Sequence, residues 1–356
     1  MLHAISRWAL ARIFLPLLAL CVFAHSPRAT AAPIPYTGDG SDLQAFIDAA
    51  PERAVISCDP GVELVLDGSI HIAQTLTLRG LRARLPDGLG RTPLLVVTAD
   101  DAVLEDLVLS GNHPTVPQDE RSPILLIHGS RFRVERCRFS DSTKDGVLVT
   151  PANGVEIDGG VVRDIAAFRM GRDAVSIAGD NRGARVRNVR IERVRLLGGF
   201  RRGALEISDG TENISARDIY AEDAVYAVDV QDHGGASAPN RNILLEDIAA
   251  VDCRHLIRTL NTPRDHANLT LRRGSAIRCL RPLAISNTDN VRIEAVRVVA
   301  KPGVSESPIQ LQACRNVLVR GIYLEGFARA PAAVAAKQCR NVVVEDVRTA
   351  PVGRAR

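Results

Sequence analysis

The chain has 356 residues and a formal net charge of +4, and its basic residues are almost all Arg, interleaved with Asp and Glu. No long basic run exists to follow a phosphate backbone, which excludes nucleic acid as an expected partner. Aromatic residues make up 4% of the chain and Trp8 is the single Trp. The chain therefore has few of the aromatic faces that usually hold neutral glycans.

The first 31 residues are expected to be a secretory signal peptide. Arg7 and Arg12 precede an apolar stretch from Ile13 to Ala24, and small residues up to Ala31 offer a cleavage site. The apolar stretch is too short for a membrane span, and no other segment is long and apolar enough. The sequence therefore predicts an exported protein, periplasmic or secreted, whose mature net charge is close to zero.

The mature chain, residues 32–356, is expected to be one domain and a monomer, and it begins with a helical pattern. Within residues 41–50, one helical face collects the apolar side chains, and Ser41 or Asp42 can cap the first turn. A repeat fold must cover the open edge of its first unit. We therefore expect a short helix over 41–50 that covers the first coil.

The rest of the chain repeats at intervals of about 25 residues. Each clear copy begins with an asparagine before a short run in which apolar and polar residues alternate, the signature of a strand. The seven asparagines are Asn188, Asn213, Asn242, Asn268, Asn290, Asn316 and Asn341. Weaker copies begin at Thr75, Asp101, Arg131 and Gly154. Because asparagine tolerates the left-handed conformation of a tight turn, stacked asparagines can hydrogen-bond along the repeat axis.

A second short strand recurs in every period, for example VLV after Gly146 and LEI after Ala204. Two or three short strands in about 25 residues leave no room for a helix in each repeat, which excludes helical and leucine-rich repeats. The sequence predicts an all-β, single-stranded parallel β-helix of about 10–11 coils over residues 55–350.

The segments DGSDLQAFIDAA and SIHIAQTLTLRGL, followed by coils of this period, resemble the pectate-lyase-like right-handed β-helix superfamily. The resemblance covers the mature chain and implies a right-handed solenoid, with a cleft along one sheet that commonly acts on acidic polysaccharides. Four segments, around Asp145, Asp173, Gly203 and Arg258, resemble polygalacturonase-type glycosidases. That family has a second Asp where this chain has Ala174 and a His where it has Arg202, which implies that polygalacturonase activity is absent.

Aligning the second strand of each coil predicts a column of outward residues on one face. Its members are Leu148, Ser176, Glu206, Asp229, Arg258, Ala284 and Gln310. Glu206 and Asp229 should lie about 5 Å apart, with Arg258 on the next coil. These three residues and Asp173 form the predicted catalytic set. Residues at nearby turns and strand ends are predicted to bind substrate: Asp145, Arg202, Tyr226 and His233.

This cluster is interpreted in three ways, of which the first, a lyase, is the expected function and the other two are alternatives. In a β-elimination on a uronate, Glu206 and Asp229 hold a calcium ion and Arg258 helps to abstract the C5 proton. In a glycoside hydrolysis, the same two carboxylates act as acid and nucleophile, at a separation nearer the retaining than the inverting range. In the third, the polar face is not catalytic and the protein only binds a glycan. An anionic polymer held by arginine or metal needs few aromatics, so an acidic polysaccharide is the expected partner.

Two cysteine pairs occupy equal positions on adjacent coils: Cys253 with Cys279, and Cys314 with Cys339. Equal phase places each pair within the Cα separation that a disulfide accepts, which suits an exported protein. The alternative is four free thiols stacked as small apolar groups.

Overall fold

The computed structural model describes residues 32–86, 92–111, 121–198, 202–234, 237–260, 266–327 and 332–350. The expected signal peptide, residues 1–31, lies outside them. In the described part of the chain, no helix has both the length and the apolarity needed to cross a membrane.

The described residues form one helix, α1 (Leu43–Ala49), and a long series of strands. In chain order the strands are β1 (Ile34–Tyr36), β2 (Val55–Cys58), β3 (Glu63–Val65), β4 (Ile70–Ile72), β5 (Thr77–Arg79), β6 (Arg82–Arg84), β7 (Leu95–Val97), β8 (Val103–Glu105), β9 (Val108–Ser110), β10 (Leu125–Ile127), β11 (Phe132–Glu135), β12 (Arg138–Ser140), β13 (Val147–Val149), β14 (Ile157–Phe168), β15 (Val175–Ala178), β16 (Val186–Leu197), β17 (Gly203–Ser208), β18 (Thr211–Glu222), β19 (Tyr226–Gln231), β20 (Arg241–Val251), β21 (His255–Leu260), β22 (His266–Ile277), β23 (Leu283–Ser286), β24 (Thr288–Val299), β25 (Ile309–Gln312), β26 (Arg315–Glu325), β27 (Val334–Lys337) and β28 (Arg340–Ala350).

The strands form two parallel sheets, to which every coil contributes. The smaller sheet has 11 described strands, one from each coil, paired in the order β4, β7, β10, β13, β15, β17, β19, β21, β23, β25 and β27. The larger sheet holds the remaining strands. The predicted fold, a parallel β-helix of about 11 coils, is confirmed.

Each long strand of the larger sheet bends at two left-handed residues. In β16 these are Asn188, with φ 57°, and Arg193, with φ 54°. From β16 to β28 the first of the two is always one of the seven asparagines. From Asn213 onward, the side-chain amide of each asparagine donates to the amide oxygen of the asparagine one coil before it, from Asn213 on Asn188 at 3.0 Å to Asn341 on Asn316 at 2.9 Å. The asparagines thus join seven coils along one edge.

One of the weaker copies was assigned to the wrong position. The register pairs Gly160 with Val189, so that Gly159 stands beside Asn188 and not Gly154. An extra tight turn at Asn153 and Gly154, both with positive φ, inserts residues before β14. The segment GVEI, which begins in this turn, alternates apolar and polar residues in the same way as the start of a coil.

The core lies between the two sheets, and inward side chains such as Val134, Ile191 and Val291 are fully buried. Helix α1 buries Leu43 and Ile47 against the first coils, as the predicted cap requires, although it is shorter than 41–50. Neither predicted capping side chain caps it: Asp42 stands at the N-cap position without a side-chain cap hydrogen bond. Its carboxylate instead accepts a hydrogen bond from the Tyr36 hydroxyl at 2.5 Å.

Candidate functional site

The predicted outward column matches the strand register of the smaller sheet. In chain order, the pairs are Leu148 with Ser176, Ser176 with Glu206, Glu206 with Asp229, Asp229 with Arg258, Arg258 with Ala284, and Ala284 with Gln310. A second column begins three residues earlier on these strands, where Gly203 pairs with Tyr226 and Tyr226 with His255.

Four carboxylates gather along these columns, and all are buried. Asp145, Asp173 and Asp229 are 0% exposed and Glu206 is 1% exposed. Three partly exposed arginines pair with them: Arg172, Arg202 and Arg258. We call these the site arginines. Because burying unpaired carboxylates is costly, the acids depend on them.

Glu206 is the carboxylate that the site arginines hold in its charged form. It pairs with Arg202 and lies 3.3 Å from Nη2 of Arg172, and it accepts a hydrogen bond from Ser208 at 3.1 Å. Burial acts to raise the pKa of Glu206, but Arg172 and Arg202 outweigh it and bring the pKa below its usual value. Glu206 is therefore ionised at neutral pH.

Asp173 is held in the opposite protonation state. Burial raises its pKa well above the usual value, and the charges of Glu206 and Asp145 add to this effect. Oδ1 of Asp173 accepts hydrogen bonds from Gly203 N–H at 3.0 Å and from the Tyr226 hydroxyl at 2.9 Å. Asp173 and Glu206 thus form a pair in which burial raises the pKa of one carboxyl, while the site arginines bring that of the other below its usual value. The pKa of Asp145, whose Oδ1 accepts from Asp173 N–H at 3.2 Å, is likewise raised by burial.

Asp229 is paired with Arg258, which also stacks on Tyr226. The guanidinium carbon of Arg258 lies 4.7 Å from the centroid of the Tyr226 ring. Burial raises the pKa of Asp229 to about 6, against the opposing effect of Arg258. Burial acts to lower the pKa of Arg258, but Asp229 raises it on balance. Arg258 therefore stays charged, and its predicted part in abstracting the C5 proton is not supported.

Tyr226 can reach Asp173 only because residue 203 is a glycine. A Cβ at Gly203 would lie 2.1 Å from the Tyr226 carbonyl oxygen and 2.2 Å from its ring. The ring lies over Gly203 and spans the intervening coil. Gly203 and Arg172 are two elements of the cluster whose roles the sequence analysis did not recognise.

His233 lies at the other end of the site, after β19. Its Nδ1 is 2.7 Å from Oδ2 of Asp209, and its backbone N–H donates to Oδ1 of the same carboxylate. The hydrogen bond to Asp209 raises the pKa of His233, and Glu206 adds to the effect. The structure thus places every residue of the predicted set in or beside one cluster.

An open cavity of about 650 Å³ adjoins Arg258 on the same sheet. Small side chains, Ala284 of β23 and Ala335 and Ala336 of β27, contribute to its wall, together with basic residues that include Arg254 and Arg281. No Asp or Glu is among the described residues that line it. The sequence analysis saw only neutral residues beyond Arg258 and missed this cavity, because its basic groups come from turns as well as strands.

The predicted calcium site at Glu206 and Asp229 does not fit this arrangement. Both carboxylates already pair with guanidinium groups, which supply the positive charge that a cation would bring. Among the described side chains, no group of three or more His, Cys, Asp or Glu is placed to hold a metal ion. We derive no chemistry through calcium.

The predicted disulfides are absent as well: Cys253, Cys279, Cys314 and Cys339 are all free thiols. The thiols of Cys253, Cys279 and Cys314 lie within hydrogen-bond distance of a backbone carbonyl of a preceding coil, at 3.5 to 3.6 Å. The cysteines of each pair occupy equal positions on adjacent coils. Their thiols contact backbone carbonyl groups along the solenoid and form no disulfide bond with each other.

No protein-family model and no curated protein matches the sequence. Solved structures do match its fold. The A-module of mannuronan C-5 epimerase AlgE4 from Azotobacter vinelandii aligns over 90% of this chain and 94% of its own, with a TM-score of 0.69 and 14% identity. The AlgE6 A-module from the same organism aligns over 89% and 92%, with a TM-score of 0.69 and 15% identity. Gene product 12 of bacteriophage phi29 aligns over 89% of this chain and 52% of its own, with a TM-score of 0.65 and 13% identity. The right-handed β-helix fold expected from the pectate-lyase-like resemblance is confirmed.

Proposed function

We propose that this protein acts on an acidic, uronate-containing polysaccharide by β-elimination in the cavity beside Arg258. The observation that carries the proposal is the charge of this cavity. It is lined by Arg254, Arg258 and Arg281, with no carboxylate among its described lining residues. Two of the similar structures are mannuronan C-5 epimerase modules, which supports a carbohydrate substrate.

Elimination from a uronate needs positive charge at the sugar carboxylate, because neutralising that group acidifies the proton on C5. Arg258 suits this task since its planar guanidinium can bind a carboxylate in a bidentate manner. Asp229 and Tyr226 hold it in place. A bound uronate would compete with Asp229 for Arg258, so substrate replaces one carboxylate partner by another.

The buried acids then have a positioning role. Glu206 fixes Arg172 and Arg202, Asp229 fixes Arg258, and Asp173 fixes Tyr226. We propose that Arg202 and His233 bind the flanking uronates of the polymer, since both are partly exposed, Arg202 is a cation and the hydrogen bond to Asp209 raises the pKa of His233. Asp145 contributes through Arg172, whose Nε is 3.7 Å from Oδ1 of Asp145.

A second candidate, glycoside hydrolysis, is favoured by one observation. Burial raises the pKa of Asp173 well above its usual value, while Arg172 and Arg202 bring that of Glu206 below its usual value, which is the pairing that a general acid and a carboxylate nucleophile require. Both are fully buried beside Arg172 and Arg202. We rank this mechanism second, because these arginines would have to move before a glycosidic bond could reach either group.

The experiment incubates the purified protein with pectate, alginate and glycosaminoglycans, with a chelator or with added calcium. We expect ultraviolet absorbance from unsaturated uronate ends, with and without the chelator. New reducing ends without that absorbance would indicate hydrolysis. Retention on the polymer without cleavage would indicate a non-catalytic glycan-binding protein.

A matched pair of variants locates the activity. Arg258→Ala should lower the elimination rate by at least about 100-fold, since it removes a fixed positive charge at the reacting carboxylate. Arg297→Ala removes an arginine whose partner is Glu325 on the larger sheet, and it should leave the rate unchanged. Equal rates for both variants would place the activity elsewhere. We also propose export through the signal peptide at residues 1–31, which the mature N-terminus of the secreted or periplasmic protein would test.

A further inference from the structure

His255 lies at the start of β21, in register with Tyr226 and three residues before Arg258. It is 5% exposed and lines the cavity. Its Nδ1 is 2.7 Å from the backbone carbonyl oxygen of Arg281. A carbonyl oxygen only accepts, so Nδ1 carries the hydrogen and Nε2 keeps a lone pair. Nε2 is the ring nitrogen left for a ligand in the cavity.

The charged groups that act on His255 are arginines, two of which are themselves paired with carboxylates: Arg258 with Asp229 and Arg281 with Glu306. The groups that act on it are Arg254 on the preceding turn, Arg258 on its own strand and Arg281 on the next coil. The neighbouring ring on β19 is the buried, neutral phenol of Tyr226. Burial first, and then these arginines, lower the pKa of His255 to about 4. The imidazole is therefore neutral at pH 5–8, in contrast to His233, whose pKa is raised by Asp209.

We propose that His255 is the general base that removes the C5 proton from a uronate whose carboxylate is bound by Arg258. This inference rests on the proposed elimination and names its base. A carboxylate at this position would pair with the arginines and lose its basicity. A neutral imidazole forms no ion pair with them and keeps its Nε2 lone pair free beside the guanidinium that acidifies the proton, although the same arginines also lower its basicity.

The step balances without a further reactant. Nε2 of His255 takes the C5 proton, and the C–H bonding pair forms the C4–C5 double bond. The C4–O4 bond breaks, its electron pair leaves with the 4-oxygen, and that oxygen takes a proton from water in the cavity. His255 then returns its proton to the hydroxide that remains. The products are an unsaturated uronate end and a free 4-hydroxyl on the departing chain.

The test uses His255→Asn, because the asparagine amide can take the place of Nδ1 and donate to the Arg281 carbonyl while the basic Nε2 is lost. We expect the elimination rate to fall by about 100-fold or more, with polymer affinity within about twofold of wild type. His128→Asn is the matched control, because His128 makes the same kind of contact on coils far from the cavity. Its Nδ1 lies 2.7 Å from the carbonyl oxygen of Thr150 on the next coil. His128→Asn should leave the rate unchanged.

Two outcomes separate this inference from the function on which it rests. If wild type forms unsaturated ends and His255→Asn keeps more than about one tenth of the rate, the base assignment is overturned and the elimination stands. If wild type forms none on any polymer, both are overturned. Imidazole nitrogen chemical shifts at pH 6 provide a readout without substrate. A neutral ring protonated at Nδ1 supports the proposal, and a charged ring overturns it.

Discussion

The hydroxyl of Tyr226 donates to Oδ1 of Asp173 at 2.9 Å, although another coil lies between the strands that carry them. The ring crosses this coil over Gly203, which itself donates its N–H to the same oxygen. Three coils are thus joined through one protonated carboxyl. The contact also fixes the ring on which Arg258 stacks.

Gly203→Ala should therefore damage both the site and the fold. Its Cβ would meet the Tyr226 backbone and ring at little more than 2 Å, and such overpacking costs about 1–3 kcal/mol of unfolding free energy. Urea unfolding measures the loss. Gly68→Ala is the control, since a Cβ at Gly68 has no atom within 4 Å among the described residues. Equal stability of the two variants would contradict the packing described for Tyr226.

Asp229 should make stability depend on pH. Its folded pKa of about 6 lies above its unfolded value near 4. The folded state thus binds the proton more tightly, and the stability that this proton brings is present below about pH 4 and lost as the pH rises through 6. The difference between the folded and unfolded pKa of Asp229 corresponds to about 3 kcal/mol of unfolding free energy.

The measurement is the unfolding free energy of wild type and Asp229→Asn at pH 4 and pH 7. The unfolding free energy of wild type relative to that of Asp229→Asn should decrease as the pH rises. Asp252→Asn is the control of opposite sign, because a hydrogen bond from Arg278 lowers the pKa of Asp252. An advantage of wild type over Asp229→Asn that grows with pH would show that Asp229 is not buried as described.

The asparagines explain why so much could be predicted from the sequence. Each one sets the phase of its coil, and alternation then decides which side chains face outward. The positions of Glu206, Asp229 and Arg258 followed from these two rules alone. The exception was Gly154. An extra turn there is followed by alternating residues that do not stand at the start of a coil.

What lies over the outward residues could not be predicted in this way. Arg172 and Arg202 come from turns, and nothing in the strand pattern shows that they cover Glu206. The neutral state of His255 depends first on burial and then on arginines that include Arg281 of the next coil, so its position in the sequence gave no indication of a role. The cysteine phase gave proximity but not thiol direction, so the sequence could not decide between disulfides and free thiols.

Asn268 tests the hydrogen-bonded line of asparagines. It donates to Asn242 at 2.7 Å and accepts from Asn290 at 2.9 Å, with φ 61°. Asn268→Gly loses both exposed hydrogen bonds and should cost about 1–2 kcal/mol. Asn268→Ala adds left-handed strain of about 1 kcal/mol.

Chemical unfolding measures both changes. Asn153→Ala is the control: Asn153 has φ 54° in an exposed turn outside the line of asparagines. Asn153→Ala should lower the unfolding free energy only by the cost of left-handed strain. Equal losses for Asn153→Ala and Asn268→Ala would mean that the side-chain hydrogen bonds contribute nothing.

The thiols should remain free in the purified native protein. Cys58, Cys137, Cys253, Cys279 and Cys314 are buried, and Cys339 is partly exposed. Burial also raises the pKa of the Cys137 and Cys279 thiols to about 12, which suppresses the reactive thiolate. A thiol reagent should modify Cys339 first in the native protein and all six after unfolding without reductant. Fewer than six modifications would show that a disulfide forms after all.

The most direct test of the account is the formation of unsaturated uronate ends by wild type in the presence of a chelator, measured beside Arg258→Ala. The account predicts absorbance that rises with time for wild type on at least one acidic polysaccharide, and a rate at least about 100-fold lower for the variant. An activity that appears only with added calcium, or that survives unchanged in Arg258→Ala, would contradict it.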